Sequence, residues 1–426
     1  MILTNARVLT FDAANRVLDS GRVEVKADGT IGSIQPGRDT GRDAVDLRCG
    51  LLMPALINAH THLYSSLARG LRLRGAPPAD FPAILKKLWW RLDRALDEED
   101  VYYSALAGLF DSAKCGVGTV IDHHSSPRAC AGSLDSIERA FREVGLRGST
   151  CYEVSDRNGI GAARDGIREN ARFLERAPAG AQVCGMFGLH ASFTLGDRTL
   201  RACLDANTGF RAGFHVHVAE DRCDRGAVRR LVDLGVLNEK SIAAHCVHVT
   251  AAERALLGRR RVNVIHNPQS NCNNAVGIAD LPALARAAVC VGLGSDGCSP
   301  RMWDEFKAAY HLQKVRARDP RGAAPEVFAA AFLNNREIVK KICGVTVGRI
   351  EPGAQADLLV LDYQPPTPID SANLFGHLLY GIANAPVRAL MVGGRWVVRD
   401  GCCVTIDERQ IAGRAAARAK ALWERF

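Results

Sequence analysis

Gly213-Phe214-His215-Val216-His217-Val218-Ala219-Glu220 alternates imidazoles with valines and ends on a carboxylate. Successive side chains of a strand point to opposite faces, so His215 and His217 share one face while Val216 and Val218 take the other. Seven further β-rich runs flank this one: Leu56 to His62, Gly118 to His124, Ser149 to Ser155, Gly185 to Ser192, Ser241 to Val247, Val262 to Pro268 and Val289 to Gly297. Helical patterns lie between them. From Ser133 to Val144, for example, Leu134, Ile137, Phe141 and Val144 recur at helical spacing behind a Ser N-cap. Eight strands alternating with helices predict an α/β fold, a closed (β/α)8 TIM barrel over residues 54–347.

The two ends read as short antiparallel strands with tight turns. Arg22 to Ala27 and Thr30 to Ile34 flank Asp28-Gly29, and Ala389 to Val392 and Arg395 to Val398 flank Gly393-Gly394. Both are hairpin signals, because such turn residues tolerate positive φ. Neither end has the strands for a core of its own, so residues 1–53 and 348–426 are expected to join in one small composite β-sandwich domain. A last helix from Asp407 belongs to it, with Asp407 and Gln410 at capping-box spacing and a stripe through Ile411, Ala415, Ala419 and Leu422.

The chain has 426 residues, 47% of them apolar and 24% charged, an ordinary composition for a soluble protein, with no apolar run near the ~20 residues of a membrane span. Its first residues lack the pattern of an export signal, so a cytoplasmic location is expected. Its fourteen cysteines are scattered singly through apolar segments and read as reduced core residues. A formal charge of +9 comes from bases interspersed with acids, which argues against nucleic acid as a partner. A small heterocyclic molecule and a second copy of the chain, in a homodimer, are the partners expected.

Ten of the twelve histidines lie between His60 and His266, most at the C-terminal end of one of the eight strands. Barrel active sites form at that face, so such residues converge although distant in sequence. His60 and His62 are one residue apart on a strand and form a chelating pair; His215 and His217 form a second. Asp296 ends the eighth strand, where a pocket or an ion pair must receive its carboxylate. Imidazoles with one carboxylate suit zinc, with iron as the alternative.

Asn58-Ala59-His60-Thr61-His62, His215 to Glu220 and Gly294-Ser295-Asp296 resemble the amidohydrolase superfamily, and the resemblance runs essentially end to end. Leu88 to Asp97, Ile121 to His124, His266 to Asn271 and Glu351 to Leu358 extend it to the cytosine deaminase, guanine deaminase and chlorohydrolase branch, and most closely to the SsnA group of aminohydrolases. One departure is Ala55, where the family usually has glycine, which bears on the local turn.

The resemblance implies that His217, not His215, is the ligand of the second pair, beside His60, His62 and Asp296. It also implies that His245 orients the attacking water. Binuclear relatives use a carboxylated lysine on the fourth strand; the run Gly185 to Ser192 has none, so one metal ion is expected. That ion would lower the pKa of water from ~9 to ~7. Asp296 would then take a proton from the water while Glu220 protonates the ring nitrogen and ammonia leaves. His190 resembles the family's substrate-facing histidine. Arg157 could hold a substrate oxygen, with a surface arginine as the plainer reading. Trp89 and Trp90 could wall a planar ring or serve the core, and a substrate contact by His124 stays open. The function expected is hydrolytic deamination of a purine, pyrimidine or triazine-like ring. Chlorohydrolase or cyclic-amide hydrolase activity is the alternative, and a non-catalytic binding homologue ranks last.

Overall fold

The computed structural model describes residues 1–39, 41 and 44–426. Strands β1 (Ile2–Leu9), β2 (Val17–Val25), β3 (Ile31–Pro36) and β4 (Ala44–Pro54) open the chain. Next come β5 (Leu56–Thr61), β6 (Val117–Asp122), β7 (Arg147–Thr150), β8 (Val183–Gly185) and β9 (Phe187–Ala191). They are followed by β10 (Phe214–Val218), β11 (Ile242–His245), β12 (Asn263–His266) and β13 (Cys290–Leu293). The C-terminal strands are β14 (Leu358–Leu361), β15 (Val387–Val392), β16 (Arg395–Arg399) and β17 (Cys402–Cys403).

All eight central runs contain strands. They form two parallel sheets, β5-β6-β7-β8 and β13-β12-β11-β10-β9. The fourth run is split at Met186: β8 pairs with β7, while β9 turns to pair with β10. Backbone bonds join the sheets at both edges. His190 N donates to Val154 O at 2.9 Å, and the amides of Ser295 and Asp296 both donate to His60 O at 3.0 Å. Gly294 permits the second junction, since a Cβ there would lie 2.7 Å from His60 O. β5, β6 and β9 to β12 are buried along their whole length, the pattern of parallel strands covered by helices.

The terminal strands form one eight-stranded sheet, β17-β16-β15-β14-β4-β1-β2-β3, in which antiparallel β4–β14 pairing joins the two ends of the chain. The sandwich expected there is a single hydrogen-bonded sheet. Both hairpins form: Gly29 alone takes positive φ in the first, with Asp28 accepting from Thr30 N at 2.9 Å, whereas Gly393 (φ 55°) and Gly394 (φ 74°) both do in the second. Ala55 keeps an ordinary φ, and its amide donates to Asp357 O at 2.9 Å, so the turn does not need glycine.

The last helix, Glu408–Arg425, is capped by Asp407 as expected, and its first residue, Glu408, accepts from Cys403 N of β17 at 2.6 Å. It lies along the helix Glu98–Lys114, with Arg418 paired to Asp97, Glu99 and Asp100 and Trp423 Nε1 donating to Leu67 O at 2.8 Å. The helix Ser133–Val144 has Gly132, not Ser133, at its N-cap; Glu169 from a neighbouring helix accepts the free amides of Gly132 and Leu134, both at 3.1 Å. The cysteines are free, as expected, but only seven of the fourteen are core residues; Cys49, Cys223, Cys272 and Cys402 are exposed. No helix among the described residues is long and apolar enough to cross a membrane.

Candidate functional site

His60 and His62 at the end of β5, His217 near the end of β10 and Asp296 just past β13 bring four ligand atoms within 4.8 Å of one another. His62 Nε2 lies 3.1 Å from His217 Nε2 and 3.0 Å from Asp296 Oδ1, and His60 Nε2 lies 3.6 Å from the same oxygen. The far nitrogens are tied back. His62 Nδ1 donates to His123 O at 2.7 Å and His217 Nδ1 to His190 O at 2.8 Å, which turns both Nε2 lone pairs toward the centre. His60 Nδ1 meets His215 Nε2 at 2.8 Å, and His60 Nε2 is buried without a partner. Three inward imidazole nitrogens, one of them orphaned, and one carboxylate oxygen fit a divalent cation. His215, which spacing alone could not separate from His217, sits one step deeper and supports His60.

Electrostatics agree with this donor set except at His62, where burial is outweighed by the Asp296 carboxylate and the imidazole is raised to about 9. Burial pushes His60 down to about 3 and His217 well below the usual imidazole value. Burial also disfavours ionised Asp296, yet the neighbouring His60 and His62 imidazoles hold it well below the usual carboxylate range. Ser270 Oγ donates to its second oxygen. Asp296 and His245 adopt left-handed backbone angles, φ 55° and 74°, strain of a kind that collects at functional sites.

Glu220 and His245 face each other beside this cluster, His245 Nε2 at 3.4 Å from Glu220 Oε2 and 3.9 Å from Asp296 Oδ2. Asn271 accepts from His245 Nδ1 at 2.8 Å, and His245 Nε2 is buried without a hydrogen-bond partner. Burial raises Glu220 to about 7 although His245 opposes the shift, and Asn274 donates to Oε1 at 3.3 Å. A carboxylic acid that keeps its proton near neutrality can donate it.

The pocket over these groups is walled by Tyr64, Phe81, Leu85, Trp89, Trp90 and Phe193, and it reaches His190 and Arg157. His190 donates from Nδ1 to Thr194 Oγ1 at 2.7 Å, stands edge-on to Trp90 with ring centres 6.0 Å apart, and is pushed down to about 3 by burial. Arg157 is not a surface residue: it is buried, paired with Glu153 at 2.6 Å and with Asp93, and bonded to Ser125 at 3.0 Å. Arg157 Nε and Trp90 Nε1 remain buried donors without partners. His124 lies outside the pocket, between Tyr64 and Tyr152, bonded to Ser126 at 2.8 Å.

Sequence reasoning assigned no role to the supporting residues Asn271, Ser270, Asn274, Glu153 and Asp93. The first two fall in the quoted motif His266 to Asn271, which was the available signal. Glu153 and His123 come within ligand reach of His62 and His217 as a second candidate cluster: His123 Nε2 faces the carbonyls of Leu189 and His215, both at 3.1 Å, while its Nδ1, 3.3 Å from Glu153 Oε2, is buried without a hydrogen-bond partner.

The sequence profile of the Amidohydrolase family matches residues 51–397. A 5-methylthioadenosine/S-adenosylhomocysteine deaminase of Pelotomaculum thermopropionicum is 29% identical, covering 100% of this chain and 99% of its own. A 5'-deoxyadenosine deaminase of Methanosarcina mazei is 28% identical, covering 99% and 98%. Among solved structures, a zinc-bound adenosine deaminase from Xanthomonas campestris superposes with a TM-score of 0.85 at 23% identity, over 100% of this chain and 98% of that one. A zinc complex of atrazine chlorohydrolase from Arthrobacter aurescens does so at 0.80 and 18% identity, over 99% of each chain.

Proposed function

We propose that this chain, which belongs to the amidohydrolase family and so is a hydrolase of carbon–nitrogen bonds other than peptide bonds, deaminates an adenosine-like purine. The observation that carries the reading is the meeting, in one aromatic-walled pocket, of the four-ligand cluster with the buried pair Glu220 and His245. His60, His62, His217 and Asp296 would hold one zinc ion, which when bound supplies Lewis acidity and a more acidic water. His245, oriented by Asn271, accepts a hydrogen bond from the attacking water at its free Nε2. Asp296 receives the water's proton. Glu220 protonates the ring nitrogen beside the attacked carbon; the amino group then takes the proton held by Asp296 and leaves as ammonia, and the hydroxyl proton of the adduct returns to Glu220 as the carbonyl forms. His190 and the donors of Arg157 and Trp90 position the ring.

In the same reading the closed ring of parallel strands is the (β/α)8 barrel, residues 54–347. The terminal sheet is the composite domain of residues 1–53 and 348–405, and the last helix belongs to the barrel's flank. Metal analysis with an ammonia-release screen over adenine, adenosine, 5'-methylthioadenosine, cytosine and aminotriazines tests the function. About one zinc per chain and fastest release from adenine nucleosides are expected. Halide release from a chlorotriazine without ammonia from any purine would replace deamination with halide displacement.

A further inference from the structure

His123 and Glu153 form a buried pair beside the ligand cluster, and neither takes part in the chemistry above. His123 follows β6 directly and Glu153 lies three residues past β7; Glu153 N donates to His124 O at 2.7 Å, which sets the two strand ends side by side. The His123 ring centre lies 5.5 Å from that of His62 and 4.8 Å from that of His217. One ligand atom from each of His62, His123, Glu153 and His217 lies within 4.8 Å of the other three. His62 and His217 have their Nδ1 atoms tied to carbonyls, so Nε2 is the atom each has to offer.

The contact between His123 and Glu153 lacks a positive charge. His123 Nε2 sits 3.1 Å from two carbonyl oxygens, so the proton of a neutral ring belongs there and Nδ1 presents a lone pair. That nitrogen faces Glu153 Oε2 at 3.3 Å without a hydrogen bond, acceptor against acceptor. The carboxylate's charge is not spent elsewhere: Glu153 Oε1 and Asp93 both pair with Arg157, two carboxylates to one guanidinium. One negative charge is left over in a buried place, where charges are paired or bind metals. A proton on Nδ1 would supply the charge, but it has no use for the Nε2 lone pairs of His62 and His217. A divalent cation takes all four atoms, a nitrogen and oxygen set suited to zinc.

We propose that His62, His123, Glu153 and His217 form a second seat for the metal ion, one that excludes the first because both seats use the Nε2 lone pairs of His62 and His217. An ion there lacks Asp296, and with it the neighbouring Glu220 and His245, so the second seat holds metal without serving the reaction. The inference rests on the four-ligand assignment and is independent of which ring is deaminated. Its test measures zinc content, zinc affinity by competition with a chromophoric chelator, and the visible spectrum of cobalt(II)-substituted protein in the wild type, Asp296→Ala, Glu153→Gln and the double variant. Asp296→Ala removes a ligand of the first seat only and should keep close to one metal per chain with an altered cobalt spectrum. Glu153→Gln, whose carbonyl still accepts from Arg157 while its amide donates to His123 Nδ1, removes the second seat only and should keep the wild-type metal content and spectrum. Groups that merely orient a ligand are worth roughly 10–100-fold in metal affinity, so the double variant should bind zinc at least about tenfold more weakly than Asp296→Ala. Thermal melts report folding, and His123→Gln, which keeps a donor toward the two carbonyls and loses Nδ1, takes the place of Glu153→Gln if the double variant does not fold. Equal affinity in Asp296→Ala and the folded double variant would leave the ion on the three imidazoles of the first seat and overturn the second. A folded but metal-free Asp296→Ala would do the same, and either result makes His123 and Glu153 an ion pair. Two ions per wild-type chain at excess zinc would overturn the mutual exclusion. A folded, metal-free Glu153→Gln beside a loaded Asp296→Ala would overturn the four-ligand assignment itself.

Discussion

Replacing Glu220 by glutamine separates proton transfer from metal binding. Glu220 lies three residues beyond His217, outside the four-ligand cluster, with one oxygen 3.4 Å from His245 Nε2 and the other accepting from Asn274 at 3.3 Å. Glutamine keeps the size and can still accept from Asn274 through its carbonyl oxygen, but it cannot deliver a proton. General acid–base groups contribute ~10²- to 10⁴-fold, or about 2.7–5.4 kcal/mol at ~1.36 kcal/mol per decade. Glu220→Gln should therefore lose that factor in kcat while holding as much zinc as the wild type. His217→Ala, which removes an inward lone pair, should emerge metal-depleted. Metal content by emission spectrometry and ammonia release by a coupled assay on both proteins decide the matter. Glu220, His245 and Asp296 also lie within ligand reach of one another, so a metal-depleted Glu220→Gln would make Glu220 a ligand. A variant near full activity would remove it from proton transfer altogether.

Three further outcomes follow from packing and charge. Arg147 Nε donates to Asp357 Oδ2 at 2.9 Å in a buried pair between the parallel strands and the terminal sheet, and Gly393 N donates to Oδ1 at 2.7 Å. Asp357→Ala strands the guanidinium and should cost about 3–5 kcal/mol in denaturant unfolding; a loss within experimental error would refute the coupling. Burial raises Glu305 from 4.5 to about 8, so its ionisation opposes folding: this contribution to stability is fully present below about pH 4.5 and lost as pH rises through about 8. Glu305→Gln, which mimics the protonated acid toward Gln269, should raise Tm above about pH 8 and lose that advantage toward about pH 4.5, as thermal melts across pH would report. Deleting residues 348–426 removes β14 and bares the edge of β4, so the truncated chain should be insoluble; a soluble, cooperatively melting product would show that β4 needs no partner.

Periodicity made much of this protein legible in advance. A parallel strand buried on both faces must be an apolar run, and a helix on its flank must repeat its apolar residues every three or four positions. The eight runs, the helix at Ser133–Val144 and both hairpins could therefore be read directly. The HxH at His60 and His62 was legible for the same reason, since a period of two puts both imidazoles on one face. Local pattern says nothing about partners distant in sequence. That His215 supports His60 while His217 faces the cluster, and that Arg157, four residues past its partner Glu153, also meets Asp93 instead of lying on the surface, follows from side chains 64 to 155 positions apart meeting in space. The last helix shows the same division. Its stripe and its Asp407 cap are local and were readable, whereas its seat depends on Arg418 finding Asp97 and Asp100 more than 300 residues earlier. Amphipathicity requires that a helix bury its apolar face; only the assembled fold decides against what.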